Sequence, residues 1–230
     1  MDLVLYYHPL ASFCHKVLIA LYEHGTPFEG VIVRHDNADS LDAFLEVWPV
    51  GKMPVLRDVR REAVIPESSI VVEYLDQHYP GLRPMLPTEP EAALQVRLWD
   101  RFFDHYVHQP VQKVVIDRLR GDGEHDARGV AEALATLDSA YAMLEKQLAG
   151  REWIAGDTFS LADCSASPAL FYAGIVHPFP PGLGALAAYF ERLMARPSVR
   201  RTYDEARPYF DLFPYRERIP ARFLQPLETD

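Results

Sequence analysis

Between residues 7 and 17 the chain reads Tyr-His-Pro-Leu-Ala-Ser-Phe-Cys-His-Lys-Val, which brings Tyr7, His8, Ser12, Cys14 and His15 into one short stretch. Each could do chemistry. A thiolate at Cys14 would be a nucleophile, and the Ser12 hydroxyl or Tyr7 phenol could stabilise an anion by a directed hydrogen bond. The imidazoles of His8 and His15 could carry protons, but no metal-ligand spacing joins them, and such histidines are more often surface or packing residues. A second polar group, Glu67-Ser68, stands directly before an apolar helical pattern. Helix N-termini leave N–H groups free and carry partial positive charge, so a carboxylate binds there readily. Lys52, Arg34 and His35 are cationic groups that could hold a small anion.

These residues need a scaffold, and the hydrophobic pattern supplies one. Residues 3–7 (LVLYY) read as a strand, 13–24 as a helix closed by Gly25, and 28–34 (FEGVIVR) as a second strand. A short helix is expected over 40–47, started by Asp39 or Ser40. Two strands at 54–58 and 63–65 flank the charged turn DVRRE, and a helix follows over 68–78. The order β-α-β-α-β-β-α combines a parallel βαβ unit with an antiparallel hairpin.

Residues 80–90 (PGLRPMLPTEP) hold four prolines and read as a linker. Beyond them the pattern is helical. Leu94, Leu98, Phe102 and Tyr106 recur every four residues, Pro110 is expected to kink their helix, and Val130, Leu134, Leu137, Tyr141, Leu144 and Leu148 form another stripe. Ser160-Leu-Ala-Asp163 has the form of a capping box, which gives Asp163 a structural role, and a helix over 183–196 stops at Pro197. The expected division is a first domain over 1–80, a linker over 81–90, a helical domain over 91–206, and an irregular tail over 207–230 packed on the body.

Composition narrows the function. The chain has 230 residues and a net charge of -10, a poor match to a phosphate backbone, so nucleic acid is not an expected partner. Apolar residues make up 49%, yet no apolar run approaches a membrane span, and the N-terminus lacks the pattern of a signal peptide. Two cysteines, Cys14 and Cys164, imply no disulfide framework, and Cys164 suits a buried apolar position. A reducing cytoplasm is the expected compartment.

A small α/β domain, a proline-rich linker and an all-helical domain, in that order, resemble the bacterial-type cytosolic glutathione transferase family across roughly residues 1–205. Three stretches carry the resemblance: LYYHPLASFCHKVLIAL, then VGKMPVL with VIPESSIVVEYLD, then WIAGDTFSLADCSASPAL. It implies an α/β plus all-α protein, with an N-terminal thioredoxin-like domain and an all-helical C-terminal domain. It also implies glutathione as co-substrate, no metal, a hydrophobic electrophile as second substrate, and a homodimer. By the same resemblance Met53, before a cis Pro54, pairs with the cysteinyl backbone of glutathione. Ser68 and its N–H take the γ-glutamyl carboxylate, Glu67 takes the α-ammonium, and Lys52, His35 or Arg34 takes the glycine carboxylate. Trp99, Phe103 and Tyr106 could wall the electrophile, although a core role suits most of them better. Trp48-Pro49 stands where many relatives have Asn-Pro.

The resemblance also locates the group that should activate the thiol. In serine-type relatives it lies six residues before the apolar residue of a Lys/Arg-Val pair, and here that position is Ala11. Alanine has no donor. Ser12, one residue later, is the leading candidate, although it could also be the helix N-cap. Tyr7 is a second candidate, and Cys14 falls where thioredoxin-like proteins keep a second, usually buried cysteine. A glutathione-dependent reductase or peroxidase working through Cys14, or a non-catalytic binding module, are the alternatives.

Overall fold

A computed structural model of the chain describes residues 1–225, so the end of the expected tail lies outside the described residues. Strand β1 (Leu3–Tyr7) buries Leu3 and Leu5 and lies inside a four-stranded sheet of order β2-β1-β3-β4. β2 (Glu29–Ile32) pairs with it in parallel, and β3 (Val55–Asp58) and β4 (Ala63–Pro66) complete the sheet antiparallel. Helix α1 (Ser12–His24) begins one residue earlier than the pattern suggests. Ala11 is its N-cap, and the Ala11 carbonyl accepts from the N–H groups of Cys14 and His15, so Ser12 is the first helical residue and not the cap. Gly25 ends the helix at φ 68°, where a left-handed residue returns its N–H to the last turn.

α2 (Ala38–Val47) starts at Asn37, whose side chain accepts from Ser40 N–H, and not at Asp39 or Ser40. It covers one sheet face through Phe44, which packs with Val33 and Val55, and Trp48 joins that cluster. The Asn-to-Trp change therefore has a packing role here. α3 (Ser68–His78) follows Glu67, which is itself the N-cap at φ 67°, a left-handed conformation unusual for a non-glycine residue. Ser68 is therefore the first helical residue of α3.

The linker is fixed by the Asp76 carboxylate, which accepts from Met85 and Leu86 N–H. The helical region runs through α4 (Pro90–Phe102), a wide π-turn (Phe103–His108), α5 (Gln109–Arg118), α6 (Ala127–Leu148), α7 (Leu161–Val176), α8 (Gly184–Ala195) and α9 (Pro197–Ala206). The π-turn stands where a kink at Pro110 is expected: Gln109 N–H reaches back five residues to the Asp104 carbonyl. α7 is buried almost all round and starts at the capping box of Ser160 and Asp163. The tail is ordered, not irregular, with 3-10 turns at Arg207–Leu212 and Arg216–Arg218 and a short α10 (Ala221–Leu224). Among the described residues no helix is long and apolar enough to cross a membrane.

The four-residue stripe on α4 is corrected in one respect. Leu94, Leu98 and Tyr106 are exposed, while Val96, Trp99, Asp100, Phe103 and Asp104 are buried. Two aspartates belong to the inner face because Lys16 of α1 is buried against them. Its ammonium contacts Asp100, lies 3.2 Å from Asp104 and 2.8 Å from Ser69 Oγ. Ser165 of α7 donates to Asp100 at 2.7 Å, and Arg101 pairs with Asp104 at 2.6 Å. Burial pushes both carboxyls up; at Asp100 the attached cations outweigh it and the carboxyl ends below the ordinary range, while at Asp104 burial, with the Asp100 charge beside it, wins and the carboxyl ends above it. Removing one partner of a buried ion pair strands the others in low dielectric. Lys16→Met is therefore expected to lower unfolding free energy by about 3–5 kcal/mol, measured by urea denaturation.

Candidate active site

A cavity of about 1210 Å³ opens where the sheet's loops meet the helical region. Drug-sized ligands fill roughly 300–1,000 Å³, so there is room for two small molecules side by side. One side is polar. Lys52, Met53 and Pro54 line it before β3, Glu67 and Ser68 at the start of α3, and Arg34 and His35 after β2. Met53-Pro54 is cis, and Met53 lies outside the ladder pairing of β3. The first-turn N–H groups of α3 have no partner within the helix, so a carboxylate beside Ser68 meets both hydroxyl and backbone donors. Glu67 places a carboxylate next to that anion site, within the field of Arg101.

The other side is apolar. Val111 and Val115 of α5, with Leu119 at its C-cap, contribute one wall, and Leu212, Phe213 and Pro214 of the tail line the other side. The tail is held there by contacts that bind it to α5: Arg118 pairs with Glu217 at 2.9 Å and stacks on the Tyr215 ring. Trp99, Phe103 and Tyr106 do not line this wall; the first two are core residues and Tyr106 faces outward.

Ala11, Ser12 and Phe13 lie at the junction of the two sides. The N–H groups of Ser12 and Phe13 belong to the first turn of α1, which by geometry has no intrahelical acceptor for them. Ser12 Oγ is 2.8 Å from His108 Nε2, at the end of the π-turn. This pair is a second rung of the contact made by Lys16: Ser12 and Lys16 are one turn apart on α1, as are His108 and Asp104 opposite. Burial, and then the Lys16 charge and His15, lower His108 to about 3, so it is a neutral imidazole. A neutral His108 carrying its proton on Nε2 donates to Oγ and leaves the Ser12 O–H free to turn toward the cavity.

Sequence candidates divide cleanly by position. The cavity brings together Ser12, His35, Lys52, Met53, Pro54, Glu67 and Ser68. Tyr7 and Cys14 are not among its lining residues. Tyr7 packs against β2 so closely that a side chain at Gly30 would meet its ring at 2.9 Å, and burial, with Glu205 nearby, raises its phenol. Cys14 is fully buried, and burial pushes its thiol up to about 12 despite a hydrogen bond from the His8 backbone. His8, read as a bystander, lines the cavity and packs against the Tyr209 ring. His108 escaped the sequence reading. The only signal was helical spacing, since 108, 111, 115 and 119 fall on one face. Among the described residues no group of three or more His, Cys, Asp or Glu is placed to hold a metal.

Comparisons with known proteins bear on the fold and the family. The family model for the glutathione S-transferase N-terminal domain matches residues 5–84, and that for the C-terminal domain matches residues 98–197. A glutathione S-transferase-like protein, LUC7, of Fusarium sp is 31% identical over 69% of this chain and 71% of its own. Glutathione S-transferase GstB of Escherichia coli (strain K12) is 26% identical over 81% and 90%. A glutathione S-transferase structure from Methylobacterium radiotolerans, in complex with glutathione sulfonate, has a TM-score of 0.75 at 26% identity, covering 88% of this chain and 94% of that one. A structure from Methylobacillus flagellatus with glutathione bound reaches a TM-score of 0.79 at 24% identity, over 87% and 98%, and speaks for the fold alone.

The buried histidines make the site acid-sensitive. His15 is lowered to about 4 and His108 to about 3, both first by burial. The unfolded chain takes up these protons near pH 6.5, before the folded one does, so stability is fully present above that value and falls as pH drops toward 4. Each histidine contributes a slope of up to about 1.4 kcal/mol per pH unit in that window, and His108→Gln is expected to remove its share in urea titrations at stepped pH.

Proposed function

The chain belongs to the glutathione S-transferase family, and from that premise we propose that it conjugates the glutathione thiolate to a hydrophobic electrophile. Glutathione would lie along the polar side of the cavity. Its γ-glutamyl carboxylate goes to Ser68 and the α3 N-terminus, and its α-ammonium to Glu67. The cysteinyl backbone pairs with Met53 as an added strand. The glycine carboxylate goes to Lys52 with His35. This pose sets the sulfur beside Ala11 and Ser12, at the positive end of α1. The observation that carries the reading is the Ser12–His108 pair at that junction, between an anion-binding side and an apolar side.

The thiol of glutathione has an ordinary pKa near 8.5, and the thiolate is the nucleophile. Ser12 O–H, freed by His108 donating to its oxygen, hydrogen-bonds the sulfur, and the first-turn N–H groups add to the stabilisation. The proton leaves to solvent at the open mouth. The thiolate then attacks the electrophile held between α5 and the tail, and the leaving group departs with its electron pair. Burial of Cys14 supports this route over thiol exchange by a reductase or peroxidase, which needs an accessible protein thiolate. A homodimer fits the exposed row of Leu94, Leu98 and Tyr106 on the α4 side, and a cytoplasmic location fits the free cysteines.

Calorimetry with glutathione, together with turnover of chlorodinitrobenzene, tests the proposal. The protein should bind glutathione and turn over the electrophile, and absence of binding overturns the reading. Ser12→Ala should lower kcat by about 10²–10³, the range for loss of one anion-stabilising donor, with glutathione affinity nearly unchanged. Ser68→Ala should show the reverse pattern, with about tenfold weaker glutathione binding and little change in kcat at saturation.

A further inference from the structure

The polar crowd around residue 11 has a use that neither hydroxyl activation nor thiol chemistry absorbs. Residues 8–11 form the loop between β1 and α1, and each of its backbone polar groups is paired. His8 N–H donates to the Cys14 sulfur. Ala11 N–H donates to the His8 carbonyl. His15 Nε2 donates to the Pro9 carbonyl at 2.5 Å, and Leu10 N–H donates to His8 Nδ1 at 3.1 Å. The Tyr172 hydroxyl of α7 donates to the Leu10 carbonyl at 2.6 Å, and the Ala11 carbonyl takes Cys14 and His15 N–H. Pro9 has no N–H to place.

Ordinary surface loops leave such groups to water and move accordingly. This one is held by side chains, and the choice of those side chains costs something. His15 lies wholly buried between the rings of Tyr172 and Tyr203, and its Nδ1 has no partner. A leucine would fill that space without an orphan nitrogen. What histidine adds there is the bond to Pro9. A carbonyl only accepts, so the His15 proton is on Nε2. His8 accepts at Nδ1, so its proton is on its own Nε2.

We propose that His8, Cys14, His15 and Tyr172 are positioning residues, holding residues 8–11 in the one shape that aims Ser12 and the first-turn N–H groups at the glutathione sulfur. This rests on the transferase reading for its consequence, while the clamp itself is a property of the free protein. Three of the holders belong to the loop and the turn after it. The fourth, Tyr172, comes from the helical domain, so packing of the two domains sets the shape of the loop.

Three variants of the full chain test it: Tyr172→Phe and His15→Leu each remove one bond to the loop, and His15→Gln keeps an N–H donor at a similar reach. Amide exchange at Leu10 and Ala11, without ligand, should speed up about tenfold in the first two and stay near wild type in the third. With glutathione bound, the pH midpoint of thiolate absorbance should rise by about one unit in the first two, and kcat should fall about tenfold with KM for glutathione little changed. Folded Tyr172→Phe and His15→Leu proteins with wild-type exchange and a wild-type midpoint overturn the clamp, as does His15→Gln behaving like His15→Leu. Should Tyr172→Phe not fold, the His15 pair decides alone. A wild type that binds no glutathione ends the transferase reading instead, and the exchange data still decide the clamp.

Discussion

The structure depends on one buried cation. Lys16 sits in the middle of α1 with 1% of its surface exposed, and an ammonium there is tolerable only if carboxylates reach it. Asp100 and Asp104 do, from α4 and the π-turn, and Ser69 of α3 and Ser165 of α7 complete the shell. Four helices from both domains are thereby tied to one point. Coulomb attraction in a dry site tolerates little displacement, so the relative position of α1 and the α4–α5 column is specified there. One turn away along both columns the same alignment brings Ser12 to His108. The hydrogen bond at the site is thus the outer rung of a ladder whose inner rung is ionic.

That arrangement divides the labour between the domains. The sheet and α3 supply the polar groups along one side of the cavity, all close to strand ends or a helix start, where the fold leaves backbone donors unpaired. The helical region supplies apolar surface from α5 and, through the tail, a facing wall. The tail reaches that place because Arg118 holds both Glu217 and the Tyr215 ring. Neither domain alone encloses the junction at Ala11 and Ser12.

What the sequence made legible followed from local rules. The order of strands and helices in the first domain and the capping box at Ser160 and Asp163 are each written within a few residues, whereas the cis Met53-Pro54 bond follows only from the family resemblance. The misreadings have a common cause. On α4 the apolar pattern selects Leu94, Leu98 and Tyr106, but a buried lysine elsewhere makes two aspartates the inner face. His108 lies 96 residues from the serine it meets, and nothing near it in sequence marks it as polar and buried. The tail, rich in proline, lacks helical periodicity, yet its rings and arginines find partners on α5 and α7 and fold it into short turns. Tertiary partners decided these cases.

Ala11 shows how such a partner changes the meaning of a position. Ala11, the N-cap, lines the cavity at the start of α1. Moving the hydroxyl one residue on rotates it by about 100° around the helix axis, toward whatever packs beside α1. In this chain that neighbour is the π-turn, and the residue there is a histidine kept neutral by burial. A serine at position 12 without it would have no such partner on the facing helix. With it, the oxygen has a ring nitrogen 2.8 Å away, and where that nitrogen carries the proton the serine O–H is free. Ser12, the wide turn and the ionic rung behind them are aligned along the same two columns, and a serine placed alone in another fold of this kind would lack its histidine partner.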